Sequence, residues 1–294
     1  MAEEVWMLQT KKADFKQIGA RFRIDPVTAR IIRNRGIEGE AAIDRYLNGT
    51  LDDLYDPMLL KDMERAVSIL CEAVDTGKKI RIVGDYDIDG VCSTYILLQA
   101  FERLGSDVDF EIPDRIKDGY GINESIIEQA HADGVEVILT CDNGISAFHQ
   151  VELAKKYGMT VVITDHHEVP LDGEKEKIPP ADAVIDPKQA DCPYPFPEIC
   201  GAVVAYKLVQ VLYARRGVPQ MEWLDLLEFA AIATVGDVMK LQDENRILVK
   251  YGLKKMAQTK NIGLRRLAEK NNLDLGAITA YHIGFVIGPC LNAG

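Results

Sequence analysis

A chain of 294 residues, 47% hydrophobic and 27% charged, carries ample apolar material for one large core or two smaller ones. Its formal net charge of −12 excludes a protein coated in basic surface for nucleic acid, but not a nuclease, because a metal site itself needs acids. It contains no apolar run of about 18 residues to span a membrane, and MAEEVWMLQTKKADF lacks the basic-then-apolar pattern of a signal peptide.

Residues 1–60 read as helical and separate. Asp25-Pro26 starts a helix by the N-cap and N1-proline rule, stopping at Gly36, and a second short helix covers 39–47. No chemistry is visible there. From Asp62 the pattern alternates between helices and short apolar strands. Helix 63–74 ends at Gly77 and strand 80–83 follows. Helix 91–104 ends at Gly105, before strand 108–112 and the loop PDRIKDGYGIN. Asn123 is the expected N-cap of a helix to Ala132. Strand 135–141 then hands over Asp142, Asn143 and Gly144. After helix 146–157 comes strand 161–163, followed at once by Asp165, His166 and His167. A charged loop leads to strand 183–185 and Asp186-Pro187.

The strands are unalternated, as strands buried on both faces are. The expected fold is therefore α/β, a mainly parallel sheet of about five strands flanked by helices. No GxGxxG follows any strand, so dinucleotide binding is unsupported. Beyond Pro197 the chain turns helical, with helices expected over 201–213, 223–234, 245–257, 264–270 and 277–287. It stops at LNAG with no folded-looking terminus, as a fragment of a longer chain would. Six cysteines lie without CxxC spacing and read as free thiols in a reducing cytoplasm.

The stretch GDYDIDG delivers Asp85, Asp87 and Asp89 at alternate positions on leaving a strand. Two unit charges ~4 Å apart cost roughly 4 kcal/mol at an effective dielectric near 20, so something must offset them. Lys79 and Arg81 lie on or before the strand, which leaves a hard cation as the natural partner. Asp142 and Asp165-His166-His167 also sit at strand ends, and a parallel sheet puts all those ends on one edge. Asp237, at a helix break, is a further acid that could join them. Carboxylates and imidazole without thiolate suit Mn2+ well and Mg2+ acceptably, with ligands enough for two ions. The matching reaction is two-metal hydrolysis at phosphorus. Asp165 is expected to hold an imidazole in place. Asp186 reads as a turn former, and His131, His149 and His282 as ordinary surface or boundary residues. Gly90, Gly121 and Gly144 read as backbone devices for tight turns.

GDYDIDG, TCDNGIS, TDHHEVP and ATVGDVM resemble, in order, the four signature motifs of the DHH phosphoesterase superfamily. DRIKDGYGIN, DENRILVKYGL and GPCLNAG narrow the resemblance to the RecJ-type branch of single-strand-specific 5′→3′ DNA exonucleases, over about residue 47 to the end. The resemblance implies metal ligation by Asp87, Asp89, Asp142, His166 and Asp237, with Asp85 a ligand or close partner and Asp142 the bridge between two ions. Asp142, Asp85 and His167 form the implied catalytic set, His167 orienting the phosphate or acting as acid. Arg115, with Lys117 in the same loop, resembles a basic residue holding the 5′-phosphate end. Asn292 belongs to the Asn-Ala-x-Gly-Arg run near that end of the substrate.

Two departures stand out. Ile88 lies where the family often has Ala, and the chain stops before the Arg of that run. The implied organisation is a helical extension over 1–60, a DHH phosphoesterase domain over 61–270, and from 271 to 294 the start of a connector to a second domain absent from this chain. The implied partners are single-stranded DNA and single-strand-binding or repair proteins, in recombination and repair, with no membrane. Alternatives are a DHH phosphodiesterase for short oligonucleotides or small phosphate esters, and a non-catalytic DHH protein that binds a replication partner. Relatives with small substrates usually begin the first motif with a His where Val83 stands here, and no ligand position is lost. Both points favour the exonuclease.

Overall fold

The computed structural model describes residues 11–115 and 121–293, and the chain divides between Leu54 and Tyr55 into two units. The first unit holds helices α1 (Phe15–Phe22), α2 (Pro26–Asn34) and α3 (Glu40–Asn48). Asp25 caps α2 as its sequence requires, accepting from the Val27 and Thr28 amides at 2.9 Å ahead of Pro26. The helix α1, capped by Asp14, was not foreseen from sequence.

The second unit continues α4 (Met63–Thr76), β1 (Ile80–Val83), α5 (Ile88–Arg103), β2 (Val108–Glu111), α6 (Glu124–Ala132), β3 (Val137–Cys141), α7 (Phe148–Lys156) and β4 (Thr160–Thr164). A small hairpin, β5 (Leu171–Asp172) with β6 (Lys175–Glu176), precedes β7 (Ala183–Ile185). Then come α8 (Gly201–Arg215), α9 (Gln220–Asp225), α10 (Leu227–Gly236), α11 (Asp243–Met256), α12 (Ile262–Lys270), α13 (Ala280–His282) and α14 (Gly288–Asn292).

Strands β1, β2, β3, β4 and β7 form one parallel sheet in the order β2-β1-β3-β4-β7. The chain builds outward from β1 to β2, returns to lay β3 on the other side of β1, and continues in that direction. The topological switch therefore lies between β1 and β3, where open α/β sheets form their ligand crevice. Both faces are covered, which explains the unalternated strands. Helices α6 and α7 pack on one face through a cluster that includes Ile127, Ala130, Ile138, Val151, Val161 and Ile163. Helices α4, α5 and α8 cover the other, with α10 and α11 packed beyond α5. Helix α10 is enclosed and almost wholly apolar, Leu227 to Thr234 all being buried, with Glu228 accepting from the Thr259 hydroxyl. Edge strand β2 is partly exposed, as its Val-Asp-Phe-Glu alternation allows.

Several boundaries differ from expectation for local reasons. Helix α5 starts at Ile88 rather than Val91, because the Asp87 carboxylate accepts from the Asp89 and Gly90 amides at 2.9 and 3.0 Å. The helix expected over 223–234 is two, parted at Leu226. The stretch expected as helix 277–287 breaks into a 3₁₀ turn, α13 and a π turn over Ile283–Ile287. The charged loop after Pro170 carries the β5–β6 hairpin, turned at Gly173 with φ 65°. Among the described residues no helix is long and apolar enough to cross a membrane.

Candidate metal centre

The C-terminal ends of β1, β3 and β4 lie on one edge of the sheet, and their acids and imidazoles meet there. Three overlapping groups form, each with ligand atoms within 4.8 Å of one another: Asp85, Asp87 and Asp142; Asp142, His166 and His167; Asp89, His166 and Asp237. Asp142 and His166 each belong to two groups. His166 Nε2 stands 3.1 Å from Asp142 Oδ1, 3.4 Å from Asp89 Oδ2 and 3.9 Å from Asp237 Oδ2. Six of these seven residues straddle the switch point, β1 leading to one side and β3 and β4 to the other, and Asp237 joins them from the end of α10.

Each acid is placed by a different device. Asp85 lies in the turn after β1, Asp87 is the N-cap of α5, and Asp89 is in that helix's first turn. Asp142 holds a left-handed conformation, φ 62°. Asp237 ends α10 as its C-cap rather than beginning a helix, and Val238 beside it is held at φ 56°, an unfavourable value for a β-branched residue. Backbone strain of this kind persists where the surrounding fold enforces it, commonly at functional sites.

The electrostatics are those of acids crowded without a counter-charge. Burial, reinforced by Asp87, pushes the Asp85 carboxyl up to about 6, the Tyr86 and Gly121 amides offsetting part of the rise. Neither Asp85 oxygen has a partner in hydrogen-bonding geometry among the described residues. Burial, followed by Asp89 and Asp87, raises Asp142 well above the ordinary carboxylate range. The same causes bring Asp237 to about 7. Burial favours the neutral form of His166, lowering its pKa despite Asp89. Unpartnered carboxylate oxygens, acids driven toward protonation and a neutral imidazole are together the donor set a hard divalent cation satisfies.

His167 is held differently. Its Nδ1 lies 2.7 Å from Asp165 Oδ1. Burial opposes protonation of His167, but the bond to Asp165 and that residue's charge outweigh it and raise the pKa. The buried Asp165 carboxylate also accepts from the His166 amide at 2.7 Å and the Ile145 amide at 2.9 Å. Burial works against its charge, yet His167 and these bonds hold it below the ordinary range.

Other residues singled out from sequence fall as follows. Asp186 is fully buried and raised to about 7, mainly by burial, with Oδ1 bonded to the Lys188 amide at 2.8 Å. Arg115 lies with its guanidinium 4.5 Å from the centroid of the Tyr86 ring, beside the acidic turn. Lys117 lies outside the described residues. Asn292 does not face the cluster with its oxygen; Oδ1 accepts from the Ile88 amide at 2.8 Å. His131 stacks on Tyr157 at 4.2 Å, His149 lies 4.0 Å from Glu152, and His282 bonds Thr279. Gly121 and Gly144 take positive φ, 69° and 119°, as turn devices do; Gly90 does not.

Two contributors were missed. The first is the start of α8. The amides of Gly201 and Ala202 donate to Asp89 at 2.6 and 2.7 Å, and a Cβ on Gly201 would lie 2.7 Å from Asp142 Cβ. The signal was the small Gly-Ala pair opening a long apolar helix. The second is Asn143, whose Nδ2 donates to the carbonyls of Val83 and Cys141 at 3.1 and 3.0 Å. It staples β1 to β3 across the switch point.

Residues 79–234 match the family model for the DHH family, N-terminal domain. The chain is 37% identical over 289 residues to the single-stranded-DNA-specific exonuclease RecJ of Bacillus subtilis, covering 98% of this chain and 35% of that protein. It is 37% identical over 285 residues to the protein of the same name from Haemophilus influenzae, covering 94% and 48%. It therefore spans less than half the length of either. Among solved structures it is similar to an exonuclease RecJ bound to manganese, with TM-score 0.70 and 34% identity, over 80% of this chain and 57% of that one. It is also similar to RecJ from Thermus thermophilus in complex with Mn2+, with TM-score 0.75 and 30% identity, over 94% and 38%.

Proposed function

The chain belongs to the DHH family, and from that premise we propose that its strand-end cluster is the catalytic centre of a single-strand-specific DNA exonuclease. It hydrolyses phosphodiester bonds from the 5′ end with two divalent ions, Mn2+ or Mg2+, in recombination and repair. The observation that carries this reading is the convergence of three strand ends on overlapping ligand groups at the sheet's switch point. The relatives named RecJ, two of them holding manganese, support it.

Asp85, Asp87 and Asp142 would hold one ion, and Asp89, His166 and Asp237 the other, with Asp142 at the boundary between them. Bound there, the ions would supply charge to the phosphate oxygens and lower the pKa of attacking water. The chain's own residues do the rest. Asp165 fixes the His167 ring through Nδ1, so Nε2 is the atom that meets the phosphate or carries a proton to the leaving oxygen. The bond to Asp165 and that residue's charge favour the protonated ring against its burial. Arg115, stacked on Tyr86 at the edge of the acidic turn, takes the 5′-phosphate end. These residues all lie in the proposed DHH phosphoesterase domain, residues 61–270.

The test is digestion of 5′-labelled single-stranded and duplex oligonucleotides with Mn2+ and with chelator. The reading predicts mononucleotides from the single strand only, and none with chelator. Products of intermediate length, or equal attack on duplex, would contradict it.

A further inference from the structure

Resting on the metal reading above, we infer that Asn292 is a positioning residue: it sets the acidic turn through the Ile88 backbone instead of contacting DNA. The first turn of any helix leaves its amides without partners inside the helix. In α5 the Asp89 and Gly90 amides are taken by Asp87 Oδ1, but the Ile88 amide is out of that reach. It donates to Asn292 Oδ1 at 2.8 Å, across 204 positions of sequence. Asn292 is thus a distant cap for the helix that carries two acids of the cluster.

The Ile88 side chain makes the same connection from its other end. It is 2% exposed and fills a slot between two glycines. A Cβ on Gly236 would lie 2.6 Å from Ile88 Cγ2, and one on Gly288, in α14, 3.5 Å from Ile88 Cδ1. Gly236 immediately precedes Asp237. One residue therefore touches the turn bearing Asp87 and Asp89, the end of α10 bearing Asp237, and the helix bearing Asn292. Displacing α14 moves the Ile88 amide, and displacing Ile88 alters the separation of Asp87 and Asp89 from Asp237. Groups that orient ligands without touching a metal change its affinity typically by roughly 10- to 100-fold when removed.

The test uses the parent, Asn292→Ala, Asn292→Asp and Gly236→Ala, with two readouts. One is hydrogen exchange at the Ile88 amide without metal; the other is the Mn2+ dissociation constant by calorimetry. Asn292→Ala is expected to speed Ile88 exchange and weaken Mn2+ binding by roughly 10-fold. Asn292→Asp keeps an acceptor oxygen and is expected to restore both most of the way. Gly236→Ala, which presses Ile88 from the opposite side, is expected to weaken Mn2+ binding while leaving Asn292 intact. Parent-like exchange and binding in Asn292→Ala, or Asn292→Asp as weak as Asn292→Ala, would overturn the inference. A parent that binds no Mn2+ would sink the metal reading instead, and the exchange result would still decide the Asn292–Ile88 contact.

Discussion

The Gly201 amide donates to Asp89 Oδ2 at 2.6 Å, which places the N-terminus of α8 against the acid cluster. The helix's partial positive charge, and amides that have no partner inside the helix, are thereby turned on the Asp89 carboxylate. The same glycine leaves room for Asp142: a Cβ at 201 would sit 2.8 Å from Asp142 Oδ1.

Gly201→Ala is therefore predicted to displace Asp142 and lower activity by about 100-fold, a loss of roughly 3 kcal/mol in transition-state stabilisation. Activity per folded molecule, with folding checked by circular dichroism, measures it. Activity near the parent's would mean that the contact is slack.

Asp165→Asn is predicted to lower the pKa of His167. In the parent, burial opposes the imidazolium, and the Asp165 bond and charge overcome it. With the charge removed, burial is opposed chiefly by the more weakly acting Asp89 and Asp237. Titration of the His167 ring by NMR in metal-free protein reads this directly, and the alkaline limb of the pH–rate profile, where a proton donor is lost, is expected to follow it. An unchanged titration would show that Asp165 does not govern this ring.

Metal-free protein is predicted to lose stability as pH rises. Asp85 and Asp237 have folded pKa values of about 6 and about 7, above the ordinary 3.8. The folded state then binds more protons than the unfolded, so stability falls from the unfolded value upward through the folded ones. Melting temperature with chelator should decline between about pH 4 and about pH 7, and Mn2+ should remove most of that slope by replacing the protons. A melting temperature that rises over this range with chelator would contradict the crowded-acid description.

Much of the site was legible because its residues follow strands. The unbroken apolar runs before Asp85, Asp142 and Asp165 told that all three would exit one sheet edge, and they do. The strand order was not legible, because no local pattern states on which side of β1 the third strand returns. Hence the switch point, and Asn143 stapling it, came only with the fold. Asp89 was placed on a loop because the helix pattern was read from Val91, whereas the Asp87 cap extends α5 back to Ile88. Gly201 and the oxygen of Asn292 act through backbone amides distant in sequence, and such contacts leave no trace in residue spacing.

The central claim is a preformed binuclear centre sharing Asp142, and a calorimetric Mn2+ titration of the parent beside Asp142→Ala tests it most directly. Two sites in the parent, with one or both lost in the variant while its fold is kept, is the predicted result. Identical binding by the two proteins would contradict the shared position of Asp142, and absence of binding in the parent would contradict the centre itself.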